Sequence, residues 1–200
     1  PVIDLTFSKS DETQVIGPDA VAEFDFVIDN TASNVAAEDF MVVETLPDEL
    51  ELMAIKTGGW LLNETVSATI QYTTTTAPST WITLGVAGFE DNNTYTQSDF
   101  GTDARVVRWV FFTDTGTGIP SGFESTAGQD LRIWAKPTTP IAAGTNTVTN
   151  CAEVSYVDPD NAPALLTEQD CGTVDISDTP IAIMDLDKKT ENDGVVPGET

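Results

Sequence analysis

The residue types here that could do chemistry begin with two cysteines, Cys151 and Cys171, in a chain of 200 residues that contains no histidine. Without imidazole there is no histidine triad and no histidine metal ligand. Residues 147–157 and 171–176 alternate in hydrophobicity around Asp158-Pro159-Asp160-Asn161, the pattern of a long hairpin. Parity groups Cys151 with Thr149, Glu153 and Ser155, and Cys171 with Thr173 and Asp175, so both thiols point away from the apolar face. A regular hairpin that pairs Val157 with Leu165 sets Cys151 across from Cys171. Opposed Cα atoms then lie about 4.5–5.5 Å apart, within disulfide reach. The closed loop of about 20 residues is worth on the order of 3 kcal/mol in the chain-entropy model. In an extracellular setting a disulfide is favoured over two free thiols.

Acid clusters are the second candidates. Asp158, Asp160 and Asn161 share the hairpin loop, and Asp175, Asp178, Asp185 and Asp187 flank Asp178-Thr179-Pro180. Closely spaced carboxylates and carbonyls suit Ca²⁺, which takes six to eight oxygens. No D-x-D-x-D-G loop is present, and a chain with 33 acids forms such clusters by chance, so a solvated acidic surface is favoured over bound Ca²⁺. No cofactor is required. Trp134, on an outward face between Arg132 and Lys136, could stack on a sugar or meet a protein ligand. The favoured reading is that its neighbours cover the ring. Trp60, Trp81 and Trp109 read as core.

The elements that must position these residues are strands. Ala22, Phe24, Phe26 and Ile28 share one face and Glu23, Asp25 and Asp29 the other. Residues 40–45, 66–72, 81–86, 105–113 and 131–136 read the same way, and Gly, Pro, Asn and Asp punctuate them. No stretch carries a helical period with caps. The fold class expected is all-β, an immunoglobulin-like β-sandwich. One such sandwich takes about 100 residues, so further strands are expected as an insertion within 53–130, ahead of a split into two subdomains near residue 100.

Charge and length narrow the function. The 33 acids against 8 bases give a formal charge of −25, which excludes a nucleic-acid partner. It also disfavours anionic membrane surfaces and suits a salty medium. No apolar run reaches the roughly 18 residues of a membrane span. A chain opening on Pro1 without a signal peptide reads as a mature or excised segment. Any two of the acids could pose as a glycosidase pair, but no cleft is indicated and the chain is read as not an enzyme.

The end of the sequence resembles its beginning. At an offset of 180 residues, Lys189-Thr190-Glu191 and Val195-Val196-Pro197-Gly198-Glu199 align on Lys9-Ser10-Asp11 and Val15-Ile16-Gly17-Pro18-Asp19, and Ile183 falls on Ile3. The organisation expected is one complete repeat, 1–178, then a junction and the first strand of the next, 179–200. Ile181, Ile183, Lys189, Val195 and Val196 would make the inter-repeat contacts. The partners would be adjacent copies in tandem, or neighbouring subunits whose sheets this last segment completes by strand addition.

Several motifs resemble one family. Asp4-Leu5-Thr6-Phe7-Ser8-Lys9, Gly17-Pro18-Asp19, Asn30-Thr31 and Thr45-Leu46-Pro47-Asp48 follow in order, and Gly144-Thr145-Asn146-Thr147-Val148-Thr149-Asn150-Cys151-Ala152-Glu153-Val154 closes the pattern. This resembles the conserved-repeat module of bacterial and archaeal cell-surface and giant secreted proteins, over roughly 1–52 and 105–176. Glu44 stands where that pattern usually has Asp, and Gly-Pro-Asp replaces Gly-Asp. The resemblance implies tandem immunoglobulin-like sandwiches, an extracellular or cell-surface location and no catalytic residues.

Lys9 and Asn150 fall on the first and penultimate strands, and some surface sandwiches join such a pair by an isopeptide bond promoted by a buried acid. Lys9 shares parity with Ile3, Leu5 and Phe7, so it could point inward. A buried lysine needs a partner or a lowered pKa, and a lysine reaching water from a strand end is favoured. The function expected is a structural module of an extracellular fibre, stalk or surface layer, providing extension and cohesion. An adhesin module binding a glycan or protein is the alternative.

Overall fold

The computed structural model describes residues 3–10, 14–60, 65–88, 91–125, 130–159 and 164–180. In chain order the strands are β1 (Thr6–Lys9), β2 (Gln14–Ile16), β3 (Ala22–Asp29), β4 (Glu38–Thr45), β5 (Leu50–Lys56), β6 (Val66–Thr74), β7 (Ile82–Ala87) and β8 (Thr94–Thr96). A single helical turn, α1 (Gln97–Phe100), precedes β9 (Ala104–Thr113), β10 (Gly116–Thr117), β11 (Leu131–Pro137), β12 (Thr145–Val157) and β13 (Leu165–Ser177).

The strands form two sheets packed face to face. One has the order β1-β3-β11-β5-β8, the other β2-β13-β12-β4-β9-β6-β7, with β10 paired to β9. Burial follows the alternation: Ala22, Phe24, Phe26 and Ile28 of β3 are fully buried, and Glu23, Asp25 and Asp29 are partly exposed. The order β1-β3-β11-β5 is that of immunoglobulin strands A, B, E and D, and β13-β12-β4 that of G, F and C. The chain is therefore an all-β, immunoglobulin-like sandwich. The insertion is β6 to β10, placed between the fourth and fifth of those seven strands, and it widens the second sheet beyond β4. Trp60, Phe40, Phe111 and Phe123 pack together under it, with ring centroids 5.4–5.8 Å apart.

Three elements differ from the expectation. Trp81 is only half-buried; it lies on the outer face, with the Arg108 guanidinium 3.9 Å from its ring centroid. A cation stacked on its ring takes the place of the core packing expected there. Strand β5 does not show in a period-two scan, because a bulge opposite Trp134 and Ala135 shifts its buried set from Leu50 and Leu52 to Ile55. The first strand is divided: β1 pairs antiparallel with β3 in one sheet, and β2 pairs parallel with β13 in the other.

Strands β12 and β13 pair over their whole length, Thr145↔Ser177 through Val157↔Leu165. Cys151 stands opposite Cys171, and a disulfide joins them across a Cα separation of 4.0 Å. Nearer the turn, the buried Tyr156 hydroxyl donates to Glu168 Oε1 at 3.1 Å. Burial, then the negative charge of Glu168, pushes the Tyr156 pKa up to about 12.

Two outcomes are expected. Replacing both cysteines by alanine lowers the unfolding free energy by about 3 kcal/mol, the entropy of the opened loop; paired denaturant melts measure it. Because the folded pKa of Tyr156 is raised, its protonated form contributes stability that is complete below the ordinary tyrosine pKa and is lost as pH rises toward about 12. Tyr156→Phe removes that alkaline loss, which thermal melts from pH 9 upward read directly.

Candidate functional site

Three polar residues occupy positions where strand parity demands apolar ones. Lys9 follows Leu5 and Phe7 on the inward side of β1. Glu44 follows Phe40 and Val42 on β4, and Asn150 stands between Val148 and Ala152 on β12. Strand pairing brings them together. Glu44 lies opposite Ala152, so Asn150 is its diagonal neighbour on the same inner face. Lys9 enters from the facing sheet.

The geometry is that of a closed, dry site. The Lys9 Nζ donates to both carboxylate oxygens of Glu44, at 3.0 Å to Oε1 and 2.8 Å to Oε2. Both side chains have 0% of their surface exposed. The ammonium sits 4.8 Å from the Phe24 ring centroid and 5.3 Å from that of Phe26. Asn150 is fully buried, and neither its Nδ2 nor its Oδ1 has a hydrogen-bond partner. Its amide nevertheless lies close enough to Glu44 to favour the charged carboxylate. A buried amide without a well-formed hydrogen bond costs about 1–3 kcal/mol, so its place here calls for a physical reason.

Burial dominates the acid–base balance. It lowers the Lys9 pKa against the opposing pull of Glu44 and, more weakly, Asp170. It raises the Glu44 pKa against the opposing effects of Lys9 and Asn150. Both shifts lead from the ammonium–carboxylate pair toward a neutral amine beside a neutral acid.

The backbone fixes this arrangement. The Lys9 N–H donates to Asp170 Oδ2 at 2.7 Å, and the Cys171 N–H donates to Asp170 Oδ1 at 2.9 Å, so one carboxylate ties the end of β1 to β13. Gly172, opposite Asn150, lets the chain cross from one sheet to the other: a Cβ there would lie 2.3 Å from the Ser10 carbonyl oxygen and 3.3 Å from the Phe24 ring.

The lysine expected to reach water is instead buried, its side chain enclosed by Phe24, Phe26 and Glu44 with none of its surface exposed. Glu44 was legible only as a departure from a family motif. The available signal was parity, an acid on the apolar side of β4 matching a lysine and an asparagine on the apolar sides of β1 and β12.

The other sequence candidates lie apart from this site. Trp134 is half-buried on the outer face of the first sheet, its indole N–H donating to Glu23 Oε2 at 2.9 Å and the Arg132 guanidinium 5.4 Å from its ring centroid. Arg132 in turn pairs with Asp25 and Glu23. Asp175 Oδ1 accepts from the Thr147 hydroxyl at 2.5 Å, and the exposed Asp178 donates its backbone N–H to Gly144 O at 3.2 Å. Asp158 is partly buried near the turn. Among the described residues, no three acids or cysteines gather as a metal site. Asp160, Asn161, Asp185 and Asp187 lie outside the described residues, as do Ile181, Ile183, Lys189, Val195 and Val196.

No protein-family model and no curated protein matches this chain. The conserved-repeat resemblance therefore rests on its motifs alone. Solved structures are similar at low identity. A structure of a type I cohesin–dockerin complex from Clostridium thermocellum aligns at 12% identity and TM-score 0.45, over 88% of this chain and 97% of that one. The major pilin subunit BcpA of Bacillus cereus aligns at 11% identity and TM-score 0.40, over 86% of this chain and 40% of the pilin. The collagen-binding subdomain ACE19 of the Enterococcus faecalis surface protein ACE aligns at 13% identity and TM-score 0.36, over 84% and 94%.

Gly172→Ala is expected to destabilise the protein by about 1–3 kcal/mol, the usual range for overpacking, because the new methyl meets backbone rather than a flexible side chain. Thermal melts of the variant check this. A melting temperature unchanged from the parent would mean that the crossing at Ser10 is looser than described.

Proposed function

We propose that this chain is a load-bearing structural module of an extracellular fibre, stalk or surface protein, used in tandem copies to give extension and cohesion. The observation that carries this reading is the direction of the first and last strands. Strand β2 runs parallel to β13, with Gln14 beside Val174 and Ile16 beside Ile176. Both strands flank β3: Ser10, just after β1, donates its N–H to Asp25 O at 3.0 Å, and the Gln14 amide of β2 bonds the backbone of Glu23.

The chain therefore enters the sandwich near the β12–β13 turn and leaves it at Ser177, at the other end of a strand of 13 residues. At about 3.3 Å per residue that strand is roughly 40 Å long. Tension applied at the two ends shears β1 against β3 and β2 against β13, so many hydrogen bonds must fail together. A hairpin pulled at its open end would instead lose them one at a time.

Three further features support the reading. The last residues of the sequence resemble its first at an offset of 180 residues. The disulfide suits an oxidising compartment. The net charge of −25 keeps neighbouring fibres apart. Among the described residues no helix is long and apolar enough to cross a membrane. Trp134 holds its indole N–H on Glu23 and is half-buried, and the adhesin module stands as the alternative reading.

Electron microscopy of the natural protein that carries this segment tests the reading. Rod-like beads joined end to end, each elongated along its strands, are expected. A single compact particle from a gene with no further copies would contradict it.

A further inference from the structure

We propose that Lys9 and Asn150 become joined by an isopeptide bond, from the lysine Nζ to the asparagine Cγ, with Glu44 moving the protons. The inference stands on the buried site alone and does not depend on how the modules assemble. Three observations carry it. The Nζ is held 2.8 Å from an acid with no surface exposed on either side chain. Asn150 is fully buried beside the same acid, its amide favouring the charged carboxylate, and among the described residues neither its nitrogen nor its oxygen meets a partner in good hydrogen-bond geometry. The rings of Phe24 and Phe26, themselves fully buried, pack against the same ammonium.

The steps balance without an oxidant or cofactor. Lys9 gives one proton to Glu44, leaving a neutral amine, the form that attacks. Burial favours this transfer by disfavouring both charges. The Nζ lone pair attacks Cγ of Asn150 and the carbonyl π electrons move to Oδ1, which takes the Glu44 proton. Glu44 then removes a second proton from Nζ and delivers it to Nδ2. As the tetrahedral centre collapses, the Cγ–Nδ2 bond breaks and ammonia leaves. The Oδ1 proton returns to Glu44. An amine and a primary amide have become a secondary amide and ammonia, and Glu44 holds the remaining proton as a neutral acid. The new amide replaces a buried charged pair with a smaller, uncharged group, and seating amine and amide beside the same buried acid replaces the high concentration the reaction would need in water.

The bond would lie in series with the disulfide. Asn150 is the neighbour of Cys151, and Cys171 is the neighbour of Gly172 in the outgoing strand. A continuous covalent path then runs from the first strand through Lys9, Asn150, Cys151 and Cys171 to Ser177. It bypasses the loop from Ser10 to Thr149 and the loop from Ala152 to Asp170. Lys189 stands where Lys9 does when the sequence restarts, so the following copy would begin with the same nucleophile.

Intact mass spectrometry of the folded, reduced protein tests the proposal. The expected mass is below that of the sequence by one ammonia, and proteolysis yields one branched peptide joining Lys9 to Asn150. Asn150→Ala and Glu44→Gln are each expected to show the full mass of their sequences, with the β-sheet circular dichroism of the parent. Should either variant not fold, the parent's mass and branched peptide still decide. The full sequence mass in the folded parent, or an ammonia loss that maps to any other residue, would overturn the proposal. So would a Glu44→Gln protein that still carries the branched peptide in full yield.

Discussion

An ammonium group enclosed between two β-sheets needs a counter-charge, and Glu44 provides it at 2.8 Å from the Lys9 Nζ. Breaking a buried pair of this kind by removing one partner typically costs about 3–5 kcal/mol, because the other charge remains without compensation. The constraint reaches outward from there. Glu44 must face inward on β4, which sets the register of β4 against β12 and β9. Lys9 must face inward on β1, and the chain must then cross between sheets over Gly172. Asp170 anchors that crossing through the Lys9 and Cys171 backbone. Four strands, β1, β4, β12 and β13, are thus held by polar contacts at one level of an otherwise apolar interior.

A one-residue slip of any of these strands would turn its polar residue to the surface and its apolar residues to water. The buried trio therefore specifies the pairing as well as contributing to it. The apolar core alone would be more permissive, since its phenylalanines and valines tolerate rearrangement that keeps volume and pattern. In the proposed array of similar modules such specificity would matter, because strands of neighbouring copies would compete for the same partners.

Much of this architecture could be read from residue order. Strict alternation in β3 and along β12 and β13 marks strands with one wet face, and the parity of Cys151 and Cys171 places them opposite each other before any coordinates are seen. Strand β5 escaped because its bulge breaks the period at Met53 and Ala54. Trp81 was misplaced because an aromatic ring under an arginine on the outer face leaves the same trace in sequence as one in the core. For the buried site, parity allowed Lys9 to face inward while a lysine reaching water was favoured, and which groups meet it depends on the pairing of β4 with β12 and on how the two sheets face each other. Those are tertiary facts: Lys9 and Glu44 are 35 residues apart in sequence and in different sheets. An acid on an apolar face, such as Glu44, is the one local sign that a strand carries more than packing.

With the proposed bond formed, Lys9, Asn150 and the disulfide would make one covalent line through the module. Single-molecule stretching by the two chain ends tests it most directly. The predicted trace shows no unfolding step from the sandwich while the disulfide is intact. Added reductant then allows one extension of about 70 Å, at about 3.5 Å per residue, from the segment the disulfide closes, whose ends are 20 residues apart. An extension of several hundred ångströms under oxidising conditions would contradict the account. That is the length expected if on the order of 140 residues between Lys9 and Asn150 were free to unravel.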